Sequence, residues 1–173
     1  GSGVGGHCIP VDPYYLIEKA KQIGFNHEFL SLARKINESM PSYAVELLEN
    51  ELKKLNKNIK KAKIGILGIS YKADVDDMRE SPALKITNIL KAKGVDAFIF
   101  DPYVKKESNV KDLNELLQKS DYIILATDHK EFKDIDPVKL KDNNIRIIID
   151  GRNCLDKEKI KSIGISYHGI GRN

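Results

Sequence analysis

The chain has 173 residues, 41% hydrophobic and 31% charged, which is the balance of a globular protein with room for one domain and an appendage. Its net charge is only +4, and its densest lysine run, residues 53–63, lacks arginine and aromatic side chains, so nucleic acid binding is not expected. Cys8 and Cys154 have no metal-ligand spacing, no apolar run approaches the about 20 residues that cross a bilayer, and no secretory signal opens the sequence. We therefore expect no metal site, no disulfide and no membrane contact, and we predict a cytoplasmic location.

The first stretch places a cysteine in a glycine-rich turn just ahead of a predicted helix. Asp12 and Pro13 are interpreted as the N-cap and the first helical residue, and a nearby helix start favours a thiolate. Cys8 is therefore a candidate nucleophile, although a small apolar filler is the alternative. His7 is not an obvious base for it, because neighbours on an extended loop point apart. The glycines that allow the backbone to approach a ligand closely are Gly3, Gly5 and Gly6.

Apolar spacing predicts three helices in the first 60 residues. The first ends at Gly24, the second begins near His27, and Pro41 is predicted to separate the second from the third. No strand lies among them, so residues 1–60 are predicted to form a helical arm that buries its apolar stripe against another domain or subunit.

From residue 61 onward, strands and helices alternate. Continuous apolar runs predict four strands that are covered on both faces, at residues 64–69, 97–100, 122–126 and 145–149. Helices are predicted between them, the clearest from Ser81-Pro82 to Gly94 and shorter ones over residues 112–118 and 136–141. Residues 61–173 are therefore predicted to form a Rossmann-like open parallel sheet with helices on both faces, in the α/β class.

Polar residues follow all four predicted strands, at the edge of an open parallel sheet where ligands bind. Lys72, Arg79 and Arg152 lie there and can meet an anion. The alternatives are structural: Asp77 with Arg79 can form a loop brace, and His129 is expected to be a loop hydrogen-bonding residue. The segments concerned are residues 70–80, 101–103, 127–129 and 150–153.

The dinucleotide fingerprint G-x-G-x-x-G is missing from the first predicted strand and its turn. Only Gly65 and Gly68 fall there, and about a dozen residues separate the strand from the next helix. The residues therefore predict an anionic ligand other than NAD for this domain.

Three motifs carry a resemblance to a known family: GVGGHCIPVDPYY at residues 3–15, YKADVDDMRESPA at residues 71–83, and Asp101-Pro102-Tyr103. The chain resembles the UDP-glucose/GDP-mannose dehydrogenase family over essentially its whole length. His7 precedes the cysteine, as in the members that oxidise UDP-N-acetylmannosamine or UDP-N-acetylglucosamine, where UDP-glucose enzymes tend to have serine.

The resemblance implies a two-step, NAD-dependent oxidation of a sugar C6 alcohol to a carboxylate, with UDP-N-acetylmannosamine as the expected sugar nucleotide. Cys8 matches the nucleophile that forms the thiohemiacetal and thioester, and Asp12 matches the aspartate that manages protons and water. The residues expected to contact the UDP-sugar are Gly5, Gly6, His7, Tyr71, Lys72, Arg79 and Arg152.

The family holds NAD in an N-terminal domain that does not match this sequence. We therefore expect a C-terminal part of such an enzyme, inactive alone, with its central helices forming a homodimer. UDP-N-acetylglucosamine and UDP-glucose remain alternative substrates. A non-catalytic UDP-binding or dimerisation module is the second hypothesis, and a cysteine hydrolase, for which no partnered base is evident, is the third.

Overall fold

The computed structural model describes residues 1–172, in which a helical arm precedes an α/β sheet. The arm contains α1 (Asp12–Gln22) and α2 (Glu28–Lys54). α1 ends before Gly24, which has a φ of +79°, as predicted from the glycine.

The predicted break at Pro41 is wrong, because α2 continues through it for 27 residues. A proline inside a helix costs about 3 kcal/mol, since it removes one hydrogen bond and crowds the preceding turn. Pro41 is itself buried, and Ala44, Leu48 and Leu52 beyond it lie in the core with at most 1% of their surface exposed. Each fully buried leucine contributes about 1.5–3 kcal/mol, so the packing of the second half of α2 outweighs the local cost.

The predicted N-cap role of Asp12 is also wrong, because Asp12 is already the first residue of α1 and Val11 precedes it as the cap residue. The carbonyl of Cys8 accepts hydrogen bonds from the amides of Val11 (2.9 Å) and Asp12 (2.8 Å). This turn brings Val11 into the helical region, with φ −107° and ψ −50°, so the helix begins one residue early. Asp12 remains in the first turn, where a carboxylate favours the helix dipole.

The sheet has five parallel strands in the order β2-β1-β3-β4-β5. Their bounds are β1 Ile64–Leu67, β2 Phe98–Phe100, β3 Tyr122–Leu125, β4 Ile147–Asp150 and β5 Ser166–Gly169. The first four match the predicted runs, whereas β5 was not predicted. β5 is an edge strand in which half-exposed Ser166 and His168 alternate with buried residues, so it lacks the continuous apolar signal of the inner strands.

Helices cover both faces of the sheet, as predicted for the fold class. Their bounds are α3 Pro82–Ala92, α4 Leu113–Lys119, α5 Lys130–Lys133, α6 Pro137–Asp142 and α7 Lys157–Ser162, with short 3-10 turns at Ile59–Lys61 and Lys105–Glu107. α2 and α3 pack on one face through residues such as Leu48, Ile86 and Leu90. The helices α4 to α7 pack on the other face around Leu116, Phe132 and further residues. In residues 1–172 no helix has the length and apolarity that a bilayer crossing requires.

Candidate functional site

The carboxyl ends of the parallel strands meet at one edge of the sheet, and Asp101, at the end of β2, organises the loops there. Its carboxylate is fully buried and accepts hydrogen bonds from the amides of Ile69 (2.7 Å), Ser70 (3.0 Å), Tyr103 (2.8 Å) and Val104 (2.9 Å). Burial raises the pKa of Asp101, but hydrogen bonds from His129 and these amides outweigh it and hold the pKa well below its usual range. Asp101 is therefore an ionised anchor beneath two loops.

His129 lies fully buried beside this anchor and connects a third loop to it. Its Nε2 lies 3.0 Å from Asp101 Oδ2 and 3.1 Å from Ser70 Oγ, and its Nδ1 accepts the amide of Asp74 at 2.9 Å. His129 is thus a loop hydrogen-bonding residue, as the sequence predicted.

Residues 70–80 between β1 and α3 form what we call the Tyr71 loop. The amide of Tyr71 donates to the carbonyl of Asp77 at 2.9 Å, which closes the loop on itself. Thr127 Oγ1 donates to the carbonyl of Ser70 at 2.6 Å and ties the loop to the end of β3. Tyr71 is half-buried and Lys72 is exposed, so the loop presents a cationic side chain at the edge of the sheet.

Asp77 and Arg79 form a forked ion pair at the base of the Tyr71 loop. Arg79 Nε lies 3.0 Å from both Asp77 carboxylate oxygens, and Nη2 lies 2.6 Å from Oδ2. The side-chain hydrogen bond from Arg79 is the largest cause that lowers the pKa of Asp77 to about 2. The brace is therefore present, and the Arg79 side chain remains 63% exposed.

Residues 3–13, which we call the cysteine loop, lie directly on the Tyr71 loop. The amide of Gly6 donates to the carbonyl of Arg79 at 2.9 Å. A Cβ added to Gly6, whose φ is +94°, would lie 2.9 Å from the Tyr71 ring, and one added to Gly5 would lie 2.6 Å from the carbonyl oxygen of Glu80. Both glycines are therefore required for close packing of the two loops.

Cys8 is exposed two residues beyond this contact. The pKa of Arg79 is raised mainly by its hydrogen bond to Asp77, and Cys8 is a lesser contributor to the same shift. The charge of His7 likewise contributes to the lowering of the pKa of Asp77, behind Arg79. The thiol and His7 are thus within electrostatic range of the brace.

Arg152 follows β4 and lies at the far end of the same edge. Its Nε contacts Asp128 Oδ1 at 2.9 Å, and its amide donates to Asp150 Oδ1 at 2.9 Å. The amide of Ser2 donates to the carbonyl of Gly151 at 3.1 Å, so the beginning of the chain lies against this loop. A groove of about 540 Å³ runs between Arg152, α2 and the beginning of the chain at Gly1, Gly3 and Val4.

The predicted site residues are therefore only partly brought together. Gly5, Gly6, Tyr71 and Arg79 are in contact, and His7 and Cys8 lie within electrostatic range of the brace. In residues 1–172, the side chains of Asp12, Lys72 and Arg152 form no hydrogen bond or ion pair with another predicted site residue.

Asn37 on α2 was not singled out from the sequence. Its side chain donates to the carbonyl of Val4 at 3.1 Å and accepts the amide of Val4 at 2.8 Å, which pairs the cysteine loop with the helical arm. A single asparagine in a predicted helix carries no signal of a partner 33 residues away. Asp101 was predicted to lie at this edge of the sheet with residues 102 and 103, but its role as the anchor of two loops was not predicted.

The connection after β1 does not fit a dinucleotide phosphate. Gly65 and Gly68 are packing positions, since an added Cβ would collide with Leu116 and Thr127 respectively. Fourteen residues, 68–81, separate β1 from α3, so no tight turn leads into a helix N-terminus. No group of three or more His, Cys, Asp or Glu side chains in residues 1–172 is arranged to hold a metal ion.

The fold and this edge define a Rossmann-like α/β protein whose loop-bearing edge is joined to a helical arm. A model of the UDP-glucose/GDP-mannose dehydrogenase family, UDP binding domain, matches residues 65–157, and a model of the central domain of the same family matches residues 1–39. The chain belongs to the UDP-glucose/GDP-mannose dehydrogenase family.

Two relatives show the extent of the similarity. The UDP-N-acetyl-D-mannosamine dehydrogenase of Pyrococcus horikoshii is 40% identical over 173 residues, covering 99% of this chain and 40% of that protein. Its solved structure superposes with a TM-score of 0.90 at 39% identity, over 99% of this chain and 40% of that one. An NDP-N-acetyl-D-galactosaminuronic acid dehydrogenase from Methanosarcina mazei also gives 0.90, at 30% identity, over 100% of this chain and 39% of that one. The chain thus spans about 40% of the length of the relatives it matches.

Proposed function

We propose that the chain forms part of an NAD-dependent nucleotide-sugar 6-dehydrogenase that oxidises UDP-N-acetyl-D-mannosamine to UDP-N-acetyl-D-mannosaminuronate. The observation that carries this proposal is the packing of the cysteine loop on the Tyr71 loop, which leaves Cys8 exposed beside the predicted UDP-binding edge. Two relatives that are 37–40% identical to the chain are UDP-N-acetyl-D-mannosamine dehydrogenases, which favours this sugar. UDP-N-acetylglucosamine and UDP-glucose remain the alternative substrates.

In this proposal Cys8 retains the sugar between two oxidations. NAD, when bound, accepts one hydride in each of the two oxidations. The thiolate sulfur bonds to C6 of the aldehyde, which gives a thiohemiacetal whose carbon can again lose hydride. The resulting thioester is hydrolysed: water adds to the carbonyl, the C–S bond breaks, and the thiolate leaves the carboxylate product. The net change consumes one water and two NAD⁺ and yields the carboxylate, two NADH and three protons.

Asp12 is assigned the handling of protons and water in these steps. It lies at the first position of α1, four residues after Cys8, and the amide of Asp12 donates to the Cys8 carbonyl. Because Asp12 does not cap the helix, its exposed carboxylate is not committed to that task. A carboxylate beside the thioester can accept a proton from the attacking water.

The sugar nucleotide is proposed to lie along the carboxyl edge of the sheet. Lys72 and Arg152 supply positive charge for the diphosphate and Tyr71 supplies an aromatic surface, while Gly5 and Gly6 allow the backbone to approach the sugar. His7 and Arg79 are proposed as further contacts beside Cys8. NAD is proposed to be held mainly outside these 173 residues, since the turn after β1 does not fit its phosphates.

The helical arm is proposed to form a homodimer in a cytoplasmic enzyme. Several large apolar side chains of the helical arm are exposed in a single chain, although Ile17 and Ala20 of α1 are buried: Phe29 is 79% exposed, Ile23 75% and Tyr15 72%. A contiguous apolar surface of this kind marks an interface.

The test is acid formation by the full-length enzyme with and without Cys8→Ala. We expect the variant to lose uronate production and to keep its affinity for the UDP-sugar. Undiminished production would remove Cys8 from the mechanism. Assays with UDP-N-acetylmannosamine, UDP-N-acetylglucosamine and UDP-glucose identify the substrate.

A UDP-binding or dimerisation module without catalytic duty is the second candidate, favoured by the match of residues 65–157, more than half of the chain, to a UDP binding domain. Titration calorimetry on the 173-residue chain should show UDP binding, no NAD binding and no turnover. Tight NAD binding without UDP binding would contradict both candidates.

A further inference from the structure

The sequence gives His129 no catalytic context, yet it is the point at which three loops of the sheet edge meet. It follows β3, contacts Asp101 after β2, and contacts Ser70 and Asp74 in the Tyr71 loop after β1. None of its surface is exposed. A buried polar ring with bonds to two other loops fixes their relative positions.

The partners of His129 determine where its hydrogen lies. A backbone amide can only donate, so Nδ1 must accept from Asp74 and carries no hydrogen. A carboxylate can only accept, so Nε2 carries the hydrogen and donates to Asp101. The ring is therefore held as one tautomer, with each nitrogen in a different task.

Neighbouring rings also fix the plane of the imidazole. Tyr103 stacks on it with a centroid distance of 5.0 Å and an interplanar angle of 27°, and Phe132 meets it edge-on at 5.3 Å and 73°. The ring cannot rotate away from Asp74 without displacing these side chains.

The contacts of His129 lie on both sides of Lys72 in the chain. Ser70 Oγ, 3.1 Å from Nε2, donates to the carbonyl of Lys72 at 2.9 Å. Asp74 has a φ of +59°, so the backbone reverses at the residue whose amide His129 holds. Asp74 is further fixed by the amide of Lys130, which donates to its carboxylate at 3.1 Å.

We propose that His129 is a positioning residue for UDP binding, which fixes the path of the Tyr71 loop by accepting the Asp74 amide while it donates to Asp101. This inference rests on the proposed function, in which Tyr71 and Lys72 contact the UDP moiety. His129 itself is buried behind the loop and acts through these two residues.

Two variants separate the tasks of the ring. In His129→Asn the side-chain oxygen takes the place of Nδ1, so this variant keeps the hydrogen bond from the Asp74 amide. In His129→Gln the side-chain NH2 group reaches the place of Nε2, so this variant keeps only the hydrogen bond to Asp101. Leu140→Ala in α6 is the matched control. Leu140 is buried in the core between the sheet and the helices α4 to α7, so its loss destabilises the same domain at a position away from the loop-bearing edge. UDP affinity is measured by calorimetry, and hydrogen exchange of residues 71–78 is followed alongside urea unfolding.

We expect His129→Gln to bind UDP about tenfold more weakly and to exchange its loop amides faster, as the loss of one buried hydrogen bond implies. We expect His129→Asn to recover most of the affinity, and Leu140→Ala to lose stability at unchanged UDP affinity. Equal affinity and exchange in the unmodified, Asn and Gln proteins would overturn this inference and leave the proposed function intact. Absence of UDP binding by the unmodified chain would overturn the proposed function first, and this role in UDP binding with it.

Discussion

Asn37 holds the backbone of Val4 at both of its polar groups, 33 residues away in the chain. The side-chain amide donates to the Val4 carbonyl and its oxygen accepts the Val4 amide, at 3.1 Å and 2.8 Å. The position of the cysteine loop is therefore set by α2 as well as by the Tyr71 loop.

Replacing Asn37 by alanine should release the cysteine loop from α2. Each hydrogen bond contributes about 1 kcal/mol, and because this pair is partly exposed we expect a loss of about 1 kcal/mol in the free energy of unfolding. The Val4 amide should exchange faster with solvent. Asn37→Asp is the matched control, since it keeps the acceptor for the Val4 amide and loses the donor. Asn37→Asp should therefore leave exchange at Val4 slow, and unchanged exchange at Val4 in Asn37→Ala would contradict this prediction.

Gly6→Ala should weaken UDP binding as well as stability. The new Cβ would meet the Tyr71 ring at 2.9 Å, and φ of +94° is strained for alanine. Strain of this kind costs about 1–3 kcal/mol. Gly24→Ala is the control, because Gly24 has φ of +79° with no atom within 4 Å of an added Cβ. Urea unfolding should report a loss in both variants, and calorimetry should report weaker UDP binding only for Gly6→Ala. A parallel loss of affinity in Gly24→Ala would count against the packing argument.

Arg79→Gln should raise the pKa of Asp77 from about 2 towards its ordinary value of 3.8. The native pKa lies below the unfolded one, so the ion pair stabilises the fold above about pH 4, and this contribution disappears as the pH falls towards 2. The pKa is measured from the carboxyl carbon shift of Asp77. Arg79→Lys keeps the charge without the fork and should give an intermediate value. A pKa of about 2 in Arg79→Gln would exclude Arg79 as the cause.

Cys8 should react with iodoacetamide at pH 8 while Cys154 stays unmodified. Cys8 is exposed, whereas burial, followed by the charges of Asp150 and Asp128, raises the pKa of the half-buried Cys154 thiol to about 12. At that pKa about one Cys154 thiol in ten thousand is ionised at pH 8, and the thiolate is the reactive form. Mass spectrometry of the alkylated peptides locates the label, and Cys8→Ala should abolish it. Equal labelling of both cysteines would refute the prediction.

The helical arm should make the chain a dimer in solution. Light scattering should give twice the 19.5 kDa mass of one chain. The double variant Phe29→Ser with Ile36→Ser should shift it to the monomer, because these side chains are 79% and 53% exposed in one chain. Val138→Ser is the control, since Val138 is 56% exposed in α6, away from the arm. A monomeric unmodified chain would contradict the proposal.

The sheet was largely predictable because its signals are local. Apolar runs of buried β-branched residues predicted β1 to β4, and Ser81-Pro82 marked the start of α3 through a cap that the structure contains. Since the ends of parallel strands share one edge, the location of the polar loops followed from the strands alone.

The remaining features depend on contacts between distant residues. The continuity of α2 through Pro41 depends on the packing of its second half, beyond the proline, which no local propensity records. The start of α1 was misplaced by one residue because the Cys8 carbonyl, not the Asp12 side chain, satisfies the first amides. The two tasks of the His129 ring depend on partners 28 and 55 residues away, in Asp101 and Asp74.

The beginning of the chain is bonded at two points only four residues apart. The amide of Ser2 is bonded to Gly151 after β4, and the amide of Gly6 is bonded to Arg79 before α3. Extended chain covers at most about 3.6 Å per residue, so the four residue steps between these points span at most about 14 Å. A deletion between Ser2 and Gly6 therefore shortens the chain available to join β4 to the Tyr71 loop, and is expected to break one of the two bonds or to shift Cys8 along the edge.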